Sequence, residues 1–351
     1  MLMRGLLTSN ITLAGLAVFL CLMVGVQLAM ALAPTNTPML VIEVGHESHN
    51  RTELIAVDLG RDQLIRVTSG RDPQWSPDGR YLAYTRYVRN ATRLFLRDMT
   101  SGDELAIGHD GRQSIYPAWT PQGDRLCWAA LVGFGNAERS IDCYDTATGD
   151  VYEWLDINHS VQGLDFSPEG ERLLMRSMFF ATFMGSASSG KSAGYQSVLS
   201  ADWSPDGDQL AAVVSVDYGH TELVLVEVDA AGRMDLSDTD LLLSGEKPST
   251  RYSGPVWSPD NKHIAFLGEA DNSWVLFLTE LATGSVKRLT IRDDGNIRNA
   301  AWSPDGRYLY AIANEGLSTR ILWWDTVTDE LTIPDWSVPL NIFRVNWRPA
   351  S

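Results

Sequence analysis

Trp75-Ser76-Pro77-Asp78-Gly79 decides how this chain is read. Ser-Pro-Asp-Gly is a tight-turn sequence: proline presets φ at the first central position, aspartate tolerates the second, and glycine suits the position after it. The same five residues return at 203–207 and 302–306. Residues 257–261 read Trp-Ser-Pro-Asp-Asn, 119–123 read Trp-Thr-Pro-Gln-Gly, and 166–170 read Phe-Ser-Pro-Glu-Gly. Trp347-Arg348-Pro349 is a seventh, truncated copy. The aromatic positions are therefore 75, 119, 166, 203, 257, 302 and 347, a period of about 45 residues.

Each turn leads into an alternating apolar run, as in Tyr81-Leu82-Ala83-Tyr84, Arg125-Leu126-Cys127-Trp128 and His263-Ile264-Ala265-Phe266. Alternation with period two is the signature of a strand. A second run comes next, such as Leu94-Phe95-Leu96 or Val275-Leu276-Phe277-Leu278, then a hairpin turn such as Thr100-Ser101-Gly102-Asp103. Four antiparallel strands per repeat describe a propeller blade. Residues beyond 34 carry no convincing amphipathic helix. If each aromatic sits on the innermost strand, the chain begins in mid-blade. Met39–Val44, Leu54–Val57 and Leu64–Val67 then supply three outer strands, and Ile342–Trp347 supplies the missing inner one. That stitching of the two ends covers the exposed sheet edges and predicts an all-β, seven-bladed β-propeller. Six blades result if the Phe166 unit is degenerate.

The Trp-Ser-Pro-Asp-Gly turn and the strand after it resemble the TolB-type, WD-like β-propeller repeat over residues 39–351. The resemblance implies a setting in the cell envelope and work with partner proteins. TolB-like proteins carry an α/β domain before the propeller. Residues 34–38 are only a linker here, so the resemblance extends to the propeller alone.

No Asp, Glu, Lys or Arg occurs from Gly5 to Ile42. Residues 11–33 would form a helix of about 34 Å, enough to cross a bilayer core of about 30 Å. Arg4 precedes them, which keeps residues 1–10 on the cytoplasmic side. The segment reads as a transmembrane anchor. It also reads as the apolar region of a signal peptide, because Ala29-Met30-Ala31 and Ala31-Leu32-Ala33 match small-residue cleavage sites. Either way the propeller lies outside the cytoplasmic membrane, anchored, periplasmic or secreted. Cys127 and Cys143 flank a hairpin centred near Gly135, which places them opposite each other on neighbouring strands. In an oxidising compartment they are positioned for a disulfide; two buried thiols are the alternative.

The net charge of −16 argues against nucleic acid as a partner. Residues 185–192, Gly-Ser-Ala-Ser-Ser-Gly-Lys-Ser, match the letters of a phosphate-binding P-loop. A P-loop needs a strand before it and a helix after it, and no helix fits before the next aromatic repeat. A flexible Gly/Ser loop is the reading that remains, and no nucleotide or other cofactor is implied. His46-Glu47-Ser48-His49 is one residue short of a zinc signature, and the acidic loop at Asp235, Asp238 and Asp240 lacks EF-hand spacing, so no metal ligands are assigned.

The loops leading into the inner strands should line one mouth of a central channel. They carry Arg71, Asp72, Gln113, Tyr116, His159, Gln162, Tyr195, Gln196, Arg251, Tyr252, Arg298, Asn299 and Arg344. Polar and aromatic groups converging on a concave mouth suit a non-enzymatic binding or scaffold module for a protein, peptide or envelope glycan. The alternative is a propeller lyase or lactonase with a metal in the channel, for which only His159 and Asp72 lie in suitable loops. No nucleophile elbow is present, and no catalytic residue is assigned.

Overall fold

The computed structural model describes residues 39–46, 51–58, 63–109, 111–132, 139–157, 159–177, 182–186, 191–195, 197–217, 219–229, 233–243, 251–270, 272–289, 296–315, 318–333 and 341–347. The segment 11–33, residues 1–10, linker 34–38 and Gln196 lie outside them. Among the described residues no helix is long and apolar enough to cross a membrane.

The chain opens with β1 (Met39–His46), β2 (Arg51–Asp58) and β3 (Gln63–Ser69). Four strands occur in each of six further units. These are β4 (Arg71–Trp75), β5 (Tyr81–Val88), β6 (Ala91–Asp98) and β7 (Glu104–Ile107), then β8 (Arg112–Trp119), β9 (Arg125–Val132), β10 (Arg139–Asp145) and β11 (Val151–Ile157). Next come β12 (Gly163–Phe166), β13 (Arg172–Arg176), β14 (Thr182–Ser186) and β15 (Lys191–Tyr195). After them run β16 (Val198–Trp203), β17 (Gln209–Asp217), β18 (His220–Val228) and β19 (Met234–Leu243). The last two units are β20 (Tyr252–Trp257), β21 (His263–Ala270), β22 (Ser273–Glu280) and β23 (Val286–Arg288), and β24 (Asn296–Trp302), β25 (Tyr308–Glu315), β26 (Ser318–Asp325) and β27 (Glu330–Thr332). Strand β28 (Asn341–Trp347) ends the described chain.

These strands pair into seven four-stranded antiparallel sheets. Six are built from consecutive strands, with the aromatic-bearing strand at one edge. The seventh has the order β28-β1-β2-β3, so the two ends of the described chain share a sheet, with Leu40 opposite Trp347 and Ile42 opposite Val345. Each sheet packs on the next, and the sheet of β26 packs on β28, which closes the ring. The molecule is a β-propeller.

The core is accordingly distributed between neighbouring sheets. Met39, Val41, Leu82 and Tyr84 fill one interface, Leu96, Ile107 and Trp128 the next, and Leu40, Ile42, Tyr310 and Ile321 the closing one. The repeated aromatics lie in these seams: Trp75, Trp203 and Trp257 are buried, as is Phe166. The Trp302 indole N–H donates to the Val256 carbonyl of the preceding sheet at 3.2 Å.

The turn after every aromatic but Trp347 carries a buried hydroxyl. Ser204 is 1% exposed. Its Oγ donates to Asp206 Oδ1 at 2.6 Å and accepts from Gln209 N–H at 3.0 Å. Ser76, Ser258 and Ser303 do the same with Asp78, Asp260 and Asp305. The residue after the acid adopts positive φ, +81° at Gly207 and +60° at Asn261. Asparagine tolerates this conformation, and its side-chain amide adds a bond to Asp206 of the preceding turn, 2.6 Å.

Cys127 and Cys143 stand opposite each other on β9 and β10 and form a disulfide, Sγ–Sγ 2.05 Å. The P-loop look-alike is a hairpin. Gly185 pairs with Ser192 and Ser186 with Lys191, so one strand leads into another where a phosphate site needs a helix. Of residues 185–192, expected as a Gly/Ser loop, 185–186 lie in β14 and 191–192 in β15 instead. Asp235 and Asp240 likewise lie in β19, where Asp235 Oδ1 accepts from the Ser237 hydroxyl.

Replacing Ser204 by alanine removes the buried acceptor of the Gln209 N–H and one of the donors to the exposed Asp206 carboxylate, which keeps the Asp208 N–H. Chemical denaturation should show a loss of about 1–3 kcal/mol. An unchanged midpoint would mean that the hydroxyl does not hold the turn.

Candidate functional site

Three positions before each aromatic, the inner strands carry Asp72, Tyr116, Gly163, Ser200, Gly254, Asn299 and Arg344. One position before it they carry Gln74, Ala118, Asp165, Asp202, Val256, Ala301 and Asn346. Strand β28 packs on β4, β4 on β8 and β8 on β12, so side chains from these columns meet along the channel.

In the first column Arg344 Nε pairs with Asp72 Oδ1 at 3.0 Å. The guanidinium reaches on across the channel, with Cζ 5.4 Å from the Tyr116 ring centroid. Asp72 Oδ2 accepts from the Thr85 hydroxyl at 3.1 Å, and the Asp72 N–H donates to Glu43 Oε2 at 3.0 Å. Asp72 and Tyr116 both have φ of +53°, as does Gly254 at +55° in the equivalent place. Left-handed backbone costs roughly 1–2 kcal/mol at a non-glycine residue. Held strain of this kind gathers at functional sites. Burial raises the Glu43 carboxyl above its usual range, although the Asp72 N–H opposes it. Burial also raises the Tyr116 phenol, with the Asp72 charge adding to the effect.

Gly163, like Gly254, brings no side chain to this column, and at Gly163 the space is taken by Arg176. Arg176 stands opposite on β13, and a Cβ on Gly163 would lie 2.9 Å from its guanidinium. Arg176 thus fills the place that a side chain at 163 would take. Enclosure by protein lowers its basicity, helped by the charge of Arg344.

The second column brings two carboxyls together, Asp165 and Asp202. Asp165 is open to water yet surrounded by the inner strands. That enclosure pushes its carboxyl up to about 6, with Arg176 pulling the other way. Asp202 is raised well above the usual range by its surroundings and then by Asp165. The Trp257 N–H donates to Asp202 Oδ2 at 2.7 Å and opposes the shift.

Of the residues expected at the mouth, Asp72, Tyr116 and Arg344 converge. Arg71 is exposed beside them, its Nε 3.3 Å from Thr52 Oγ1. Arg298 and Asn299 are exposed on β24, Gln162 is exposed ahead of β12, and Gln113 is half-buried on β8. Arg251 is exposed and pairs with Glu269 at 3.7 Å. Two residues are elsewhere. Tyr195 ends β15, the outermost strand of its sheet, and its hydroxyl accepts from the Met234 N–H of outer strand β19. It sits at the rim because the unexpected hairpin carries the chain outward. Tyr252 is only 2% exposed and packs edge-on to Phe266, centroids 5.6 Å apart, within a seam between sheets. Glu43, Asp165, Arg176 and Asp202 were not anticipated.

No family model matches the chain. It is similar to an uncharacterized peptidase, YuxL, of Bacillus subtilis, 24% identical over 224 residues, 60% of this chain. The match spans only 32% of that protein's length. Among solved structures, TolB from Acinetobacter baumannii superposes with a TM-score of 0.54 at 17% identity, covering 89% of this chain and 67% of that one. The periplasmic gluconolactonase PpgL of Pseudomonas aeruginosa gives 0.59 at 15% identity, covering 90% and 99%. At such identities the likeness is one of fold, a β-propeller, and TolB and a gluconolactonase both stand among its neighbours.

Two titrations test the electrostatics. Asp202 has a folded-state pKa above its unfolded one, so ionising it costs stability as pH rises. Asp202→Asn should therefore gain in melting temperature over the parent as pH goes from 5 to 8. A constant difference would contradict the raised acid. His159, half-buried between β11 and β12, is pushed down to about 4 by burial and by Arg139. The unfolded chain takes up its proton first, so stability falls as pH drops from about 6.5 to about 4. His159→Gln should flatten that fall in a pH series of denaturation curves. Superimposable curves would remove the effect.

Proposed function

We propose that this chain is a seven-bladed propeller acting as a binding module outside the cytoplasmic membrane, anchored or exported by residues 11–33. Its ligand is a segment of a partner polypeptide received at the lead-in mouth of the channel. The reading rests chiefly on one observation. Arg344, Asp72, Tyr116 and Arg176 come from four different strands, β28, β4, β8 and β13, yet they act electrostatically on one another in one channel. Groups drawn from such distant parts of the chain, two of them on strained backbone, form a prearranged polar site rather than incidental surface. The disulfide suits an oxidising compartment, in keeping with export. The likeness to TolB supports the setting as a likeness of fold.

Purification of the full-length protein from its native membrane, with bound proteins, glycans and metals identified by mass spectrometry, tests this reading. A stoichiometric polypeptide should co-purify with the parent and be depleted at least tenfold from Arg344→Ala. Retention of a glycan instead would move the ligand class. A tightly held metal with no partner would overturn the module in favour of a channel lyase or lactonase.

A further inference from the structure

The opposite end of the channel holds a second feature, on the side of the Ser-Pro-Asp-Gly turns. A cleft of about 300 Å³ opens there between β4, β8 and β12. Its walls include Trp75, Trp119, Pro77 and Pro121, with Gln74 beside them. Among its lining residues Asp165 alone carries an ionisable group. The volume is at the small end for ligand pockets and accommodates one extended side chain.

We propose that this cleft receives the ammonium or guanidinium group of a basic side chain on a partner polypeptide, held by the Asp165 carboxylate. The assignment rests on the module reading and adds a second contact at the far mouth. Three observations carry it. Among the described residues, the Asp165 carboxyl has no hydrogen-bond partner and no cation within salt-bridge distance, its backbone being paired with Leu174. The titratable groups around it are Arg176 on β13, which attracts it, and Asp202 on β16, whose carboxyl is pushed up by burial and by the charge of Asp165. Arg176 lies over Gly163, where it also answers to Tyr116 and Arg344, and Arg344 is itself paired with Asp72. The Asp165 carboxylate is thus left short of positive charge on the cleft side. Finally, no three His, Cys, Asp or Glu side chains gather among the described residues. Two carboxyls supply fewer protein ligands than calcium or zinc ordinarily takes, whereas one carboxylate between apolar and aromatic walls suits an organic cation.

The aromatic walls offer the methylene stem an apolar lining, and the acid fixes the head. Binding needs the ionised form, so it should weaken as pH falls through the region where Asp165 titrates, near 6. At pH 5 such a carboxyl is about nine-tenths protonated, and affinity should drop about tenfold from its value at pH 7.5.

The test is calorimetric titration of the full-length protein with acetyl-Gly-Lys-Gly-amide and with its norleucine counterpart. The lysine peptide should bind saturably at pH 7.5, about tenfold more weakly at pH 5, and at least tenfold more weakly to Asp165→Asn. The norleucine peptide should bind at least tenfold more weakly than the lysine peptide. Equal binding of the two peptides, or no saturable binding of lysine, overturns the proposal. So does affinity for lysine that is independent of pH. If Asp165→Asn does not fold, the pH series on the parent decides. Lysine binding lost while the co-purifying partner is retained removes this subsite alone and leaves the module standing.

Discussion

A buried hydroxyl sets the geometry of this molecule. In the Trp-Ser-Pro-Asp-Gly turns, the serine O–H donates a hydrogen bond to the aspartate and its oxygen accepts one from the N–H of the residue five positions on. Ser76, Ser204, Ser258 and Ser303 are each at most 2% exposed, so water does not reach the hydroxyl itself, although the aspartates are exposed. An unsatisfied group there would cost about 1–3 kcal/mol. The bond pattern is met only when the inner strand ends at the aromatic and the next strand starts immediately beyond the turn. Thr120 meets the same demand differently, bonding Asp124 and the Arg125 N–H. Because the turn fixes where the aromatic lies, it also fixes what the aromatic packs against, namely the seam with the preceding sheet.

This dependence explains why the architecture was legible. A rule repeated every 45 residues or so is hard to misread, and the β28–β1 pairing emerged from counting strands on either side of it. The Phe166 unit was read less well. Its Gly- and Ser-rich composition suggested a loop, but backbone pairing between β14 and β15 tolerates that composition when neighbours supply the packing. The error displaced Tyr195 from the rim to the mouth. Tyr252 was misplaced for another reason: a residue at the start of an inner strand can face the seam as easily as the channel, and only the local register decides.

The site was half legible. Asp72, Tyr116 and Arg344 share a column three residues before the aromatic, and a loop-by-loop reading found them. Asp165 and Asp202 share the column one residue before it, where the other repeats have Gln74, Ala118, Val256, Ala301 and Asn346. Stacking the repeats and asking where an acid replaces an apolar or amide side chain would have exposed both. Arg176 had a fainter signal, a glycine at 163 in a column where Asp72, Tyr116, Asn299 and Arg344 are larger. Glu43, the lone charge in the apolar run Met39–Val44, pointed inward by the same logic. The two columns give the channel opposite characters along its length, guanidinium-rich at one level and acidic at the next.

The closing sheet also has a mechanical meaning. Met39 and Trp347 lie at the same end of the antiparallel pair β1–β28, with Leu40 facing Trp347 and the register running from there to Gly45 opposite Asn341. Tension applied between the two strand ends would not shear all these hydrogen bonds together. It would peel them in turn, like a zipper opened from its free end, and the yield force would be that of one or two pairs. A propeller closed in this way resists heat and solvent through its whole circumference, yet yields at a single seam to a pull along the chain.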